Sequence, residues 1–298
     1  MATLKDVKNK ISGVKKTKQI TKAMNMVAAS KLRGAQTSMD AFRPYAAKFS
    51  EVLGSLAGKT GEEANPLLVP REDVKKIHLV LTTSDRGLCG GFNINLIDRA
   101  KKFLEEKTAE GDVDVSFTLF GKKGRDWARK KELTIADEYL GVIGGTFDFS
   151  IAANSGRKLI DKFLDGEYDE VYMVYSEFVS AARQVPVMKQ LLPIPPIETA
   201  EEETEETDKP YLAEHIAEPS PAELLGELLP RSVFVQIYSA LLETSTSEHA
   251  ARMAAMNNAT NACNDMLERL TLAYNKARQA AITAELMDIV GGAEALKG

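Results

Sequence analysis

Two features predict an α/β protein in which long N- and C-terminal helices form an antiparallel coiled coil attached to a small sheet with parallel crossovers. The ends of the chain carry alanine-rich helical patterns whose apolar residues alternate three and four apart, and the middle alternates short apolar strands with helical patterns. The chain has 298 residues, 44% of them hydrophobic, enough for one large or two ordinary domains with a core. Pattern and composition divide it at 1–57 (N-terminal coiled-coil helix), 74–196 (α/β domain), 197–219 (acidic linker loop) and 220–298 (C-terminal coiled-coil helix).

The N-terminal helix places Leu4, Val7, Ile11 and Val14, then Leu32, Ala35, Met39, Phe42, Ala46, Phe49, Leu53 and Leu56, on one heptad seam. Between these runs the register lands on Lys18, Thr21, Asn25 and Ala28, while Ile20, Met24 and Val27 stand one residue away. The expectation there is a locally rotated or loosened seam, with Lys18, Thr21 and Asn25 facing outward. Pro44 predicts a kink or a local loss of hydrogen bonding.

At the other end Ser220, Pro221 and Glu223 spell a helix start: a capping hydroxyl, a proline at the first helical position and a carboxylate in the first turn. Pro230 should kink or restart the helix; no proline and no glycine then intervene before Gly291-Gly292. A continuous helix from Arg231 to Val290 would be about 90 Å long at 1.5 Å per residue, beyond what a compact domain needs. Its seam reads Met253, Met256, Thr260, Cys263, Leu267, Leu270, Tyr274, Ala277, Ala281 and Ala284. Because the intervening region returns the chain, the two seams pair antiparallel; the alternative is that each helix covers an ordinary globular core.

In the middle, 77–83, 113–120 and 170–178 read as strands and 95–107, 122–131 and 149–163 as helices, with further strands at 133–136 and 187–194. Pro186 places the last strand at an edge or bend. The loops Gly58 to Pro70 and Pro195 to Pro219, rich in proline, glycine and glutamate, are expected to stay out of any core.

Composition excludes several classes of function. Cys89 and Cys263 show no pairing pattern, so neither a disulfide scaffold nor a multi-cysteine zinc site is expected, and a reducing cytosol fits. No apolar run reaches the 18 or so residues that span a bilayer, and the N-terminus has no secretory pattern. The segment Ser84 to Asn93 (SDRGLCGGFN) lies between a strand and a helix, where phosphate loops occur, but lacks both the P-loop ending and the dinucleotide spacing; a tight turn is the competing reading. Cys89 is either a reactive thiol or a packed one. His78, His215 and His249 do not combine into a metal site or a triad, and no catalytic constellation or cofactor site emerges.

The net charge is only −5, which argues against a nucleic-acid protein, yet Lys5, Lys8, Lys10, Lys15, Lys16, Lys18, Lys22, Lys31 and Arg33 face only Asp6 within the first 36 residues. Such a helix calls for an acidic partner. With no aromatic interleaved and only a narrow apolar stripe, a protein with acidic loops fits better than RNA or a membrane surface; a merely solvated basic helix is the competing reading.

The motifs sharpen this. Ile20 to Leu32 (ITKAMNMVAASKL) resembles the N-terminal motif of the gamma subunits of F-type rotary ATP synthases, Ser84 to Asn93 their central segment, and Ile282 to Ala295 (ITAELMDIVGGAEA) their C-terminal signature. The resemblance implies a coiled-coil shaft with a Rossmann-like base, turning inside a ring of three alpha and three beta subunits. It implies epsilon and the membrane c-ring as further partners, no cofactor and no catalysis by the chain itself. The role implied is to couple transmembrane proton flow to ATP synthesis or hydrolysis at the beta-subunit sites. By the same resemblance Lys22, Met24, Lys31 and Arg252 face the lever loops of beta, Arg278 and Gln279 its catch loops, and Gln279, Thr283 and Glu285 form a cluster that affects coupling. A peripheral location on the cytoplasmic face of a bacterial plasma membrane follows as an expectation.

Overall fold

The computed structural model describes residues 4–57, 65–71, 73–111, 113–195 and 220–295. They form α1 (Leu4–Ala57), β1 (Lys76–Thr82), α2 (Phe92–Glu110), β2 (Asp114–Phe120), α3 (Lys122–Lys130), β3 (Thr134–Tyr139), α4 (Phe149–Leu164), β4 (Glu170–Ser180), β5 (Arg183–Leu192) and α5 (Pro221–Ala295). The chain divides into two compact units, one of residues 1–29 with 252–298 and the other of residues 30–251. The acidic run at 198–208 and His215 lie outside the described residues.

The unit 30–251 is built on a five-stranded sheet of order β3-β2-β1-β4-β5. β1, β2, β3 and β4 run parallel and β5 is antiparallel to β4. Alternation along β1 sorts the core. Ile77, Leu79 and Leu81 pack in one cluster with Leu96, Ala100 and Phe103 of α2 and with Ala128 of α3. Val80 points the other way, into a cluster with Leu159 and Phe163 of α4, Leu53 and Leu56 of α1, and Leu229, Val233, Ile237 and Leu241 of α5. Pro186 does sit on an edge strand, paired with Ser176. The loop before β1 departs from expectation: Leu67 is 3% exposed within the core, and its carbonyl accepts from Ile194 N–H at 2.8 Å. A single leucine flanked by turn residues is enough to anchor a loop whose composition reads as solvated.

Two glycines mark close approaches. Gly121, at φ +96°, brings its backbone so near Thr83 that a Cβ would stand 2.0 Å from the Thr83 carbonyl oxygen. Gly156 of α4 faces Phe234 of α5, where a Cβ would lie 2.4 Å from the ring.

Helices α1 and α5 both contain a proline, Pro44 and Pro230, yet each continues as one element. Around Pro230 the fully buried Leu229 and Val233 hold the helix against the core, and Ser232 Oγ donates to Leu229 O at 2.7 Å. The start of α5 is the one its sequence announces, with Glu223 N–H donating to Ser220 Oγ at 3.2 Å.

In the other unit the N- and C-terminal helical segments pair antiparallel: Asn25 Nδ2 donates to Met253 O at 2.8 Å, and Thr260 Oγ1 donates to Thr21 Oγ1 at 2.8 Å. The seam is neither rotated nor loosened at its polar stretch. Thr21 (8% exposed) and Ala28 (2%) are buried in register, Lys18 and Asn25 are half-buried, and Ile20 and Val27 stand 59% exposed. The expectation that Thr21 and Asn25 face outward is therefore corrected. Their polar groups find partners across the seam, which removes the cost of burying them and leaves the heptad register intact. On α5 the seam extends to Ala281, whereas Ala284 is exposed.

His78 is fully buried between Ser116 Oγ at 2.7 Å and Thr118 Oγ1 at 2.8 Å, with its ring stacked on Tyr168 at 4.1 Å. Burial, then the nearby Lys162 cation, push its pKa down to about 3. An unfolded histidine ionises near 6.5, so between these values the unfolded chain binds the extra proton. The stabilising contribution is complete above pH 6.5 and falls toward pH 3, by at most about 1.4 kcal/mol per pH unit. His78→Asn should show lower stability at pH 7 but a shallower loss between pH 6 and 4 in urea unfolding; parallel curves for the two proteins would contradict this.

Candidate functional surface

The residues that the resemblance singles out fall into separate groups. Lys22 is exposed and Met24 half-buried on α1, next to Asn25; Arg252 is half-buried on α5, next to Met253. The Asn25–Met253 hydrogen bond thus brings Lys22, Met24 and Arg252 into one neighbourhood. Arg278, Gln279, Thr283 and Glu285 are all exposed on α5. They begin 26 residues beyond Arg252, about 39 Å along the helix. Gln279 and Thr283 are one turn apart and joined, Thr283 Oγ1 donating to Gln279 O at 2.9 Å. Lys31 is exposed but committed within its own unit, where Nζ donates to Gly144 O at 3.3 Å.

Around these positions lie apolar side chains that heptad reasoning passes over: Ile20, Met26 and Val27 on α1, Met266 and Leu272 on α5, and Ile282, Leu286, Met287, Ile289 and Val290 beyond the end of the seam. From Ile282 to Ala293 every residue of α5 is exposed. A helix that turns aliphatic residues to solvent in every direction is built for a covering partner. The available signal was the seam itself, because apolar residues left off a satisfied heptad stripe have no intramolecular place to go.

The strand-to-helix segment Ser84 to Asn93 is the tight turn, not a phosphate cradle. Ser84 N–H donates to Asn93 Oδ1 at 2.9 Å, and Asn93 Nδ2 reaches Ser84 Oγ at 2.8 Å and Cys89 Sγ at 3.1 Å. Asp85 accepts from the N–H groups of Lys122 at 3.2 Å and Gly141 at 3.0 Å. Leu88 (φ +67°) and Gly90 (φ +60°) turn the backbone in the left-handed region. Cys89, 2% exposed, is the packed thiol of the two readings.

Parallel sheets of this type bind ligands where the strand order reverses, outside the carboxyl ends of the strands. Here that point lies between β1 and β4, and α5 fills it. Thr244 Oγ1 lies 3.2 Å from Thr82 Oγ1 and accepts from Ser176 N–H at 3.3 Å, and Ser247 Oγ donates to Ser176 O at 3.3 Å. Alongside, burial pushes the Glu243 carboxyl up while it accepts from the Phe178 N–H, and burial pushes the Lys189 amine down. Sequence reading missed this polar segment; its signal was the run Thr244-Ser245-Thr246-Ser247, an unfavourable choice for a helix unless the hydroxyls have work elsewhere.

Fold and surface together define a class: a two-helix antiparallel coiled coil joined to a Rossmann-like α/β domain whose crevice is closed by its own helix, with an exposed, partly aliphatic helical surface. A family model described as ATP synthase matches residues 3–296. The ATP synthase gamma chain of Desulfosudis oleivorans is 67% identical over the full length of both chains, and that of Desulforapulum autotrophicum is 64% identical over 99% of this chain and all of that one. The chain belongs to the gamma-chain family of ATP synthases. Among solved structures, the central stalk and c-ring of the Tetrahymena thermophila mitochondrial ATP synthase aligns at 25% identity and TM-score 0.57, over 80% of this chain and 99% of that one. The rotor of the Euglena gracilis enzyme shares the fold at 21% identity and TM-score 0.63, over 94% and 98%. No helix among the described residues is long and apolar enough to cross a membrane.

Asp85→Ala should lower stability by about 1–2 kcal/mol, because two backbone N–H groups lose their acceptor. Urea unfolding measures this, and an unchanged midpoint would show that the turn does not depend on Asp85.

Proposed function

We propose that the chain is the noncatalytic rotating shaft of a membrane-attached ATP synthase, coupling transmembrane ion flow, of protons by resemblance, to ATP synthesis or hydrolysis on partner subunits. In this reading 1–57 and 220–298 are the shaft helices, 74–196 the base, and 197–219 a linker. Alpha and beta subunits surround the shaft, while epsilon and the c-ring meet the base at the cytoplasmic face of the membrane. The observation that carries it is the bare helical stretch from Ile282 to Ala293, exposed throughout and bearing five large apolar side chains, in a chain 67% identical to a gamma chain from end to end.

The charges fit the role. Lys22 and its neighbouring cations project from α1 toward acidic loops of beta, and Arg278 and Gln279 offer a guanidinium and an amide to catch loops. Rotation can change the state of a catalytic site only if shaft contacts differ with angle, because a partner shifts an equilibrium by differential interaction alone. Charged and hydrogen-bonding groups on one side of a helix supply that difference at close range and steer partner choice.

The isolated chain should hydrolyse no ATP, whereas adding it to alpha and beta subunits should yield a defined complex with strong ATPase activity. Turnover by the chain alone would reassign it as an enzyme, and binding without effect on turnover would make it an adaptor. Within the assembled enzyme, replacing Arg278 and Gln279 with alanine should depress ATP synthesis more than the same change at the half-buried Lys101 and exposed Lys102 of α2. Equal losses would remove the case for the former pair.

A further inference from the structure

Six consecutive residues of α5, Thr244 to His249, are each at most 4% exposed, and four of them carry hydroxyls. Thr246 satisfies itself, its Oγ1 donating to Leu242 O at 2.8 Å within the helix. The other three hydroxyls leave the helix. Thr82 Oγ1 donates to Val174 O at 2.9 Å, so its only proton is committed and Thr244 must be the donor between the two threonines. Hydrogen bonds therefore run in one direction, from Ser176 N–H to Thr244 Oγ1, from Thr244 to Thr82 Oγ1, and from Thr82 to Val174 O, crossing from β4 to α5 to β1 and back. Ser247 Oγ donates to Ser176 O at 3.3 Å, and Ser245 Oγ accepts from Gly144 N–H at 3.4 Å.

We infer that Thr244, Ser245 and Ser247 are a torsional key, positioning residues that fix the rotation of α5 about its own axis against the sheet so that base and helix turn as one. The inference rests on the rotor reading given above. Apolar contacts are non-directional, and a helix held by leucines alone can turn several degrees while keeping most of them. Hydrogen bonds cannot follow. With Cα atoms about 2.3 Å from the helix axis, a side-chain oxygen stands roughly 4–5 Å out, and a turn of about 20° shifts it by about 1.5 Å, past the tolerance of the bond. Water cannot replace the lost partner in a buried layer, so the restoring force persists under load. α1 packs into the core of the same unit through Leu53 and Leu56, apolar residues that offer no such lock, and its Lys31–Gly144 hydrogen bond is exposed to water. The key sits at the switch point of the sheet, where β1 ends beside the middle of β4 and one helix can engage both.

The test uses the assembled complex, fixed through its alpha and beta subunits, with a bead coupled at a Lys102→Cys substitution on α2. Angular fluctuation of the bead in the stalled state reads torsional stiffness directly. Thr244→Val should raise the angular variance by about twofold or more, since the donor to Thr82 and the acceptor for Ser176 are both lost. Thr244→Ser, which keeps the hydroxyl, should restore the native variance, and Thr246→Val, equally buried but bonded only within its own helix, should leave it unchanged. Native variance in Thr244→Val, or an equal rise in Thr246→Val, overturns the key. Should Thr244→Val fail to assemble, Ser247→Ala is read in the same way, and no rise in variance overturns the key. A wild-type bead that does not turn when ATP is added refutes the rotor reading itself, which separates that failure from a failure of the key.

Discussion

The heptad seam between the first and last helical segments is the contact on which the rest of the structure depends. Neither helix has an independent reason to be so long, and an isolated amphipathic helix in water is marginal. Antiparallel pairing along Leu4 to Ala28 and Met253 to Ala281 buries one stripe of each and leaves every other face available. Because the pairing joins the two ends of the chain, everything between them must return the backbone, which the α/β unit does. The polar pairs Thr21–Thr260 and Asn25–Met253 sit within the seam. A misregistered pairing would take Asn25 away from the Met253 carbonyl, whereas Thr21 and Thr260 keep acceptors in their own helices, so Asn25 is the group that favours one register.

The α/β unit shows how a fold associated with ligands can be turned to a mechanical use. Its crevice between β1 and β4 is filled by hydroxyls of α5, and the glycine-rich segment after β1 closes on itself through Ser84, Asp85 and Asn93. What the helices leave exposed is a set of cations on α1, Arg278 to Glu285 on α5, and aliphatic side chains where α5 runs beyond the seam. Such a surface suits recognition of other subunits, consistent with the chain's membership of the gamma-chain family of ATP synthases.

Much of this was legible beforehand because its signals are local. Alternation gave the strands, including the edge position of β5 marked by Pro186; Ser220 and Pro221 announced the start of α5; and three short motifs identified the family. The failures share one cause. Thr21 and Asn25 read as outward because polar residues usually are, and only a partner on a distant helix makes them inward. Leu67 read as loop because its neighbours are turn residues, and only the core that receives it shows otherwise. Pro230 read as a kink or a restart, and the restart is absent because intrinsic propensity counts the lost hydrogen bond but not the packing of Leu229 and Val233 that keeps the helix one element.

By itself, then, the sequence determined the order and kind of the elements, the heptad register and the surface chemistry, because spacing along one chain segment sets which residues share a face. The tertiary structure alone decided which hydroxyls meet. The bonds among Ser176, Thr244 and Thr82 join segments 68 and 162 residues apart, and no local pattern encodes a partner at that separation.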